Sequence, residues 1–218
     1  MNMAVEIVQL SKNFQKQQIL KKISHSFEEG KIHGIIGLNG SGKTVLFKCI
    51  CGFLNPDGGY VKVFGKRIGK DMDFPADLGM IIENPGFLPQ FSGYENLIRL
   101  ADLRKKIGKQ EIIESMIRVG LDPLSKKKVG QYSLGMRERL GIAQAIMEDP
   151  KLLILDEPFN GLDKKGAEEV CALLVELRDQ GKTILLAAHN LPNMNVLCDT
   201  VCEMDAGVLT QVVREQRS

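Results

Sequence analysis

The sequence predicts an α/β fold carrying a helical insertion, on three observations. Two apolar runs, Lys151–Leu155 and Thr183–Ala188, read as strands of a sheet covered on both faces. A glycine-rich turn, Gly37–Thr44, separates a strand-like run from a helix-like one. Between residues 86 and 147 the apolar spacing becomes helical.

Each element follows in order. Val5–Leu10, Ile19–Phe27 and Lys31–Ile36 are short, rich in β-branched residues and bounded by polar or glycine breaks, the pattern of strands. The helix-like run spans Thr44–Cys51. The cluster Asn55-Pro56-Asp57-Gly58-Gly59 is a turn, and Tyr60–Phe64 and Leu78–Ile82 are further strands. From Gly93 to Val119 a charged helical pattern places Leu97, Leu100, Leu103, Ile112, Ile113, Met116 and Val119 on apolar positions. Pro123 and Lys126-Lys127-Lys128 mark a loop; the lysines suit a solvated face or a patch facing a membrane or partner. A helix follows from Leu134 to about Met147. Asp163 suits the N-cap of a helix that buries Ala167, Val170, Cys171, Leu174 and Leu177 and stops at Gly181. Val201–Met204 and Val208–Val213 flank Asp205-Ala206-Gly207 as a hairpin.

Composition limits the functions open to such a fold. The chain has 218 residues, 44% hydrophobic and 26% charged, enough for one domain that folds without disulfides or metals. Its 29 basic and 27 acidic residues leave +2, which excludes a strongly polybasic nucleic-acid binder and an acidic tail. No apolar stretch approaches the roughly 20 residues of a membrane span, and the N-terminus lacks the pattern of a signal peptide. Five cysteines without ligand partners in sequence read as buried, reduced thiols, a redox or metal role being the alternative.

The strongest local signal is Gly37-Leu38-Asn39-Gly40-Ser41-Gly42-Lys43-Thr44, which fits G-x-x-x-x-G-K-[ST] between a strand and a helix. Glycines let the backbone wrap phosphate oxygens, and the helix N-terminus turns N–H groups and its positive dipole end toward the anion. Lys43 is expected to reach the β- and γ-phosphates and Thr44 to ligate Mg²⁺. A second signal is Leu152-Leu153-Ile154-Leu155-Asp156-Glu157, an apolar strand ending in two carboxylates at the sheet edge that bears the phosphate loop. Asp156 is placed to hold the metal shell. Glu157, sent to the other side by strand alternation, is placed to orient or activate the attacking water. Phe159 stands where a GTPase would have Gly, and Asn-Lys-x-Asp is absent, so guanine specificity is not expected. His189 ends the strand Thr183–Ala188, where it could bond the γ-phosphate or the water. His25 and His33 read as structural.

These motifs, in this order and spacing, resemble the nucleotide-binding domain of ABC-type ATPases over nearly the whole chain. Asp156-Glu157, Gly161-Leu162-Asp163 and His189 match the family's Walker B, D-loop and switch-histidine positions. Tyr132-Ser133-Leu134-Gly135-Met136 matches its signature motif, and Phe14 is placed like the aromatic that stacks on adenine. The resemblance implies a P-loop NTPase core with an antiparallel β subdomain (1–85 and 148–218) and an inserted α-helical subdomain (86–147). Nucleotide contacts are then implied for Phe14, Gly37 to Thr44, Ser133, Gly135 and Asp163, metal contacts for Thr44, Asp156 and Glu83, and catalysis for Glu157 and His189. Ser133 also suits an N-cap, so its helix start offers a second anion site, which in this family closes on ATP held by another subunit.

Two departures stand out. Leu134 and Met136 replace the usual Gly and Gln of the signature, while Glu83 occupies the position where the family usually has Gln. A unit charge about 5 Å from a phosphate oxygen costs ~3 kcal/mol at an effective dielectric of 20, and a metal gains comparably. Glu83 together with Ser-Leu-Gly-Met resembles the ATPase subunits of bacitracin- and lantibiotic-immunity exporters. Such subunits often carry a C-terminal extension; this chain stops soon after its last hairpin, so no regulatory domain is expected. The reading is a Mg²⁺- and ATP-dependent motor subunit on the inner face of the cell membrane. It would pair with a second copy of itself and drive a separate transmembrane permease subunit, with no direct nucleic-acid contact. Gly86-Phe87-Leu88-Pro89-Gln90-Phe91 either docks that partner or packs within the helical subdomain. The alternative is a soluble ABC-type ATPase serving as a scaffold or acting on nucleic acid or ribosomes. It lacks the coiled-coil insertions, the second cassette and the positive charge those roles would favour.

Overall fold

The computed structural model describes residues 2–15, 17–83, 85–188 and 194–212. Strands β1 (Met3–Phe14), β2 (Gln17–Glu28), β4 (Gly58–Val63) and the short β5 (Lys66–Arg67) form an antiparallel sheet in the order β2-β1-β4-β5. A second sheet runs β10-β9-β3-β8-β7-β6. Its members are β3 (Ile32–Ile36), β6 (Leu78–Ile81), β7 (Leu152–Asp156), β8 (Thr183–Ala188), β9 (Thr200–Asp205) and β10 (Val208–Val212). Neighbours β9 to β6 pair in parallel; β10 returns antiparallel to β9.

The second sheet is covered on both faces, which is why β7 and β8 carry no alternation of polarity. Leu153, Leu155, Ile184, Leu186 and Ala188 enter one core with the helices. Leu152, Ile154, Leu185 and Ala187 enter the other, with β1, β2, β4 and helix α1 (Lys43–Ile50). A strand buried on both sides needs apolar residues at every position.

Between β6 and β7 lie three helices, α2 (Gly93–Arg104), α3 (Lys109–Arg118) and α4 (Leu134–Ile146), with a 3-10 turn at Val129–Gln131. The helical pattern read continuously over 93–119 is therefore two helices. Lys105 takes a left-handed conformation at the end of α2, and Gly108 opens α3. The apolar period continues across this break, so the sequence pattern does not mark it. α2 starts on a reciprocal capping box between Ser92 and Glu95. Helix α5 (Lys164–Asp179) begins on Asp163, whose carboxylate accepts the Gly166 N–H, and Gly181 follows its end at φ +88. Its buried face includes Leu173, while Ala167 and Cys171 are only half-buried. A short helix α6 (Met194–Leu197), absent from the expected elements, precedes β9.

The hairpin turn before β10 has Ala206 and Gly207 both at positive φ, the two-residue turn that matches strand twist. None of the five cysteines is in a disulfide, and only Cys171 is half-exposed. Burial pushes the Cys49 and Cys202 thiols up to about 11 and that of Cys51 to about 12. His33 bonds the Thr200 hydroxyl and the Glu28 carbonyl, and His25 touches Cys202, as structural histidines do. Among the described residues no helix is long and apolar enough to cross a membrane.

Candidate functional site

The carboxyl ends of β3 and β7 lie in one sheet with β8 between them. This brings the glycine-rich loop after β3 to the carboxylates that end β7. The loop is wedged against the last hairpin: a Cβ at Gly37 would overlap the Met204 carbonyl oxygen. The Gly207 N–H donates to the Ser41 carbonyl, and the Gly207 carbonyl accepts from the Lys21 N–H of β2. Gly42, at φ +115, opens α1 in a conformation costly for other residues. Leu38 turns outward to solvent.

Inside the loop, Lys43 is almost fully buried. Its ammonium donates to the Gly37 carbonyl at 2.7 Å and the Leu38 carbonyl at 3.2 Å and faces a Glu157 oxygen at 3.6 Å. The cation is thus held over the loop where an anion would seat. The buried Ser41 Oγ has no hydrogen-bond partner among the described residues. A loop with an orphaned hydroxyl, a curled lysine and a helix N-terminus fits a polyphosphate.

At the start of α1 the Thr44 hydroxyl donates to Asp156 Oδ2 at 2.6 Å. Burial raises the Asp156 carboxyl above the usual range, the Thr44 bond opposes this, and the neighbouring Glu157 charge adds to it. A hydroxyl and a carboxylate in contact are hard oxygen donors, a set suited to magnesium, which takes its other positions from water and phosphate. Glu157 departs from its expected direction. The strand ends at Asp156, and Glu157 itself is left-handed at φ 55, anchored by its N–H on the Ala187 carbonyl. The reversal brings its side chain into the same cleft as Asp156 instead of the opposite side.

That cleft, of about 580 Å³, runs from Phe14 and Ile19 through Asn39, Gly40, Gly42, Lys43, Thr44 and Val45 to Glu83, Asp156 and Glu157. Phe14 is exposed at the end of β1, with the Lys12 ammonium 5.7 Å from its ring centre. Glu83, left-handed at φ 59, sits on the rim in an ion pair with Lys48 at 2.6 Å. Two further residues line the cleft that the sequence reading passed over, Glu138 of α4 and Asn160.

Other expected site residues lie apart from this cleft. Ser133 caps α4 by accepting the Met136 N–H and is exposed. Gly135 packs on the Gly161 carbonyl, and a Cβ there would come within 2.7 Å of it. Asp163 is occupied in capping α5. His189 lies outside the described residues. One chain thus holds a nucleotide-sized cleft and, elsewhere on its surface, a second helix N-terminus.

Residues 20–160 match the family described as ABC transporter. The chain is 40% identical over 205 residues to an ABC transporter ATP-binding protein of Bacillus subtilis, YybJ, covering 94% of each. It is 38% identical to the bacitracin transport ATP-binding protein BcrA of Enterococcus faecalis, over 98% of this chain and 70% of the relative. With the lantibiotic transport ATP-binding protein SrtF of Streptococcus pyogenes it shares 34% over 90% of this chain and 85% of the relative. Among solved structures, cbiO1 of Clostridium perfringens, part of the ABC transporter complex cbiONQ, superposes with a TM-score of 0.80. The identity is 28%, over 96% of this chain and 87% of that one.

Proposed function

This chain belongs to the ABC transporter family as an ATP-binding subunit with ATPase activity, and from that premise we propose that it powers an exporter of peptide antibiotics or similar hydrophobic cargo. The names borne by BcrA and SrtF support the cargo class. The observation that carries the motor reading is the separation of two half-sites. The cleft holds the phosphate loop and the carboxylates, while Ser133 at the start of α4 is exposed and is not part of its lining. Two copies facing each other would place each Ser133 hydroxyl on the triphosphate gripped by the other. Gly135 and Asp163 would lie at that junction.

Within the cleft Lys43 would leave the loop carbonyls for the β- and γ-phosphates, and Phe14 would stack on adenine. Thr44 and Asp156 would hold magnesium, with Glu83 beside them. When bound, the ion offsets negative charge on the phosphate oxygens. Glu157 would take a proton from the water as its oxygen bonds the γ-phosphorus and the bond to the β-phosphate oxygen breaks, leaving ADP. His189 would meet the γ-phosphate or the water. Closing and reopening the pair would move a separate membrane-spanning partner, holding the subunit on the inner face of the membrane. We read the chain as one ATPase domain with 86–147 as its helical subdomain.

The docking surface for that partner would include Phe53 and Phe74, 45% and 57% exposed with ring centres 5.8 Å apart, beside Pro85 and Gly86. Within the segment 86–91, Phe87 packs on the helical core and the Phe91 ring lies 3.7 Å beneath the Arg99 guanidinium, so only part of it is available.

The test is Glu157→Gln. Turnover should fall on the order of 10²–10⁴-fold, ATP binding should persist, and ATP with magnesium should convert the variant to a dimer by light scattering. A variant that binds ATP yet stays monomeric, both alone and beside its permease, would overturn the paired reading.

A further inference from the structure

Helix α4 carries one stripe that the motifs do not explain. Gly135, Glu138 and Gly141 recur at intervals of three and share a face. At one end of the stripe Gly135 lies against the Gly161 carbonyl. At the other, a Cβ on Gly141 would come within 3.0 Å of the Pro85 ring and 3.4 Å of Ile81. The two glycines therefore let the helix backbone settle onto the loop after β7 and the turn after β6. These are the two segments that carry Glu157 and Glu83.

Glu138, midway between the glycines, is driven into the space between those segments. It is 5% exposed and lines the nucleotide cleft with Asp156, Glu157, Glu83 and Asn160. Desolvation pushes its carboxyl up to about 7, and among the described residues it makes no hydrogen bond or ion pair. Burying a carboxyl without a partner is costly, and Leu or Met would fill the same space without that cost. This one lies beside Asp156 and Glu157 in the nucleotide cleft. The cleft is open toward this carboxyl, so its partner belongs to the loaded state.

We propose that Glu138 is a positioning residue for hydrolysis: with nucleotide bound, its carboxyl hydrogen-bonds into the Glu157–Asn160 loop and fixes the orientation of Glu157. It rests on the reading that Glu157 acts on the attacking water. The placement gives the contact a second consequence. Ser133 lies five residues earlier on the same helix, about 7.5 Å along its axis. A tilt of α4 that seats Ser133 on another copy's triphosphate therefore moves Glu138 in its own cleft. One rigid helix would link arrival of the second copy to readiness of the first copy's carboxylate.

The experiment compares Glu138→Leu, Glu138→Ala and Glu138→Gln in the full chain, with Glu157→Gln alongside. The leucine variant should lose turnover tenfold or more while its KM for ATP stays within threefold and its Tm equals or exceeds that of the wild type. Glu138→Gln, which keeps a hydrogen-bonding group of the same shape, should retain at least half the turnover. If the leucine variant does not fold, the alanine variant is held to the same turnover and KM criteria. Wild-type turnover in the leucine or alanine variant overturns the proposal, as does a loss in Glu138→Gln equal to theirs. Should Glu157→Gln itself keep full turnover, the reading of Glu157 fails first, and the two failures are told apart.

Discussion

The helix starts at α1 and α4 are chemically alike and physically opposite. Both pair a hydroxyl residue with glycines and free N–H groups, and both are set to receive phosphate. The α1 loop is held from every side. Gly37 lies on the Met204 carbonyl, Ser41 is pinned by Gly207, and Lys43 is bonded back onto Gly37 and Leu38. The α4 start has a single capping bond from Met136 to Ser133, with Leu134 beside it 52% exposed. The first site is assembled by one chain's folding. The second rests on the Gly161 loop and leaves Ser133 and Leu134 exposed. Preorganisation on one side and exposure on the other is the arrangement expected when a single chain binds nucleotide and hydrolysis waits for a second copy.

Breaking the rigid side should have the largest effect. In Gly37→Ala the added methyl meets a backbone oxygen that moves only with β9. Overpacking of this kind costs about 1–3 kcal/mol, roughly 2–12 °C in Tm for a chain of this size. ATP affinity, followed by a fluorescent analogue, should fall at least tenfold with the loop displaced. Ser133→Ala should behave differently. Loss of the cap costs about 1 kcal/mol of stability, and the affinity of the isolated chain for ATP should not change. Turnover and the ATP-dependent dimer of the Glu157→Gln background should weaken about 10–100-fold, as expected for a lost hydrogen bond to a charged group. Ser133→Ala weakening monomeric ATP binding as much as Gly37→Ala would erase the contrast between the two helix starts.

The same contrast explains what could be read from sequence. The rigid side was legible because its residues are dictated locally. Close approach at Gly37, the helix start after Gly42 and apolar strands ending at Asp156 each leave a pattern within eight residues. The cap at Ser133 and the cap at Asp163 were legible for the same reason. Glu157 lines the cleft beside Asp156, though not by the expected geometry, since alternation holds only to the strand's end and a left-handed residue follows. Glu138 escaped because its role depends on what α4 packs against, a relation between residues 138, 157 and 83 that no local window contains. The Gly-x-x-Glu-x-x-Gly spacing was the available signal, marking a helix face closely packed at its two glycines. The link from Gly207 to Ser41 was hidden similarly, joining residues 166 positions apart.

The smallest effect should come from Glu83, which lies between the two regions. Its carboxylate pairs with Lys48 at 2.6 Å on the cleft rim, and its own side chain is well exposed. An exposed pair of this kind contributes about 0–1 kcal/mol, so Glu83→Gln should lower Tm by no more than about 4 °C. Its charge repels the triphosphate and attracts a metal, each by at most about 3 kcal/mol per unit charge at 5 Å and an effective dielectric of 20, and the Lys48 pair and solvent reduce both. The two nearly cancel, and ATP affinity in the presence of magnesium should stay within a few fold. Without magnesium only the repulsion remains, so the glutamine variant should then bind ATP more tightly than the wild type. Hydrolysis and its coupling to the permease should change, because the turn after β6 joins the nucleotide cleft to the exposed aromatic groove around Phe53 and Pro85. Binding measured with and without magnesium separates the two charge effects. If Glu83→Gln abolishes nucleotide binding under both conditions, the residue belongs to the rigid site and its assignment beside the metal fails.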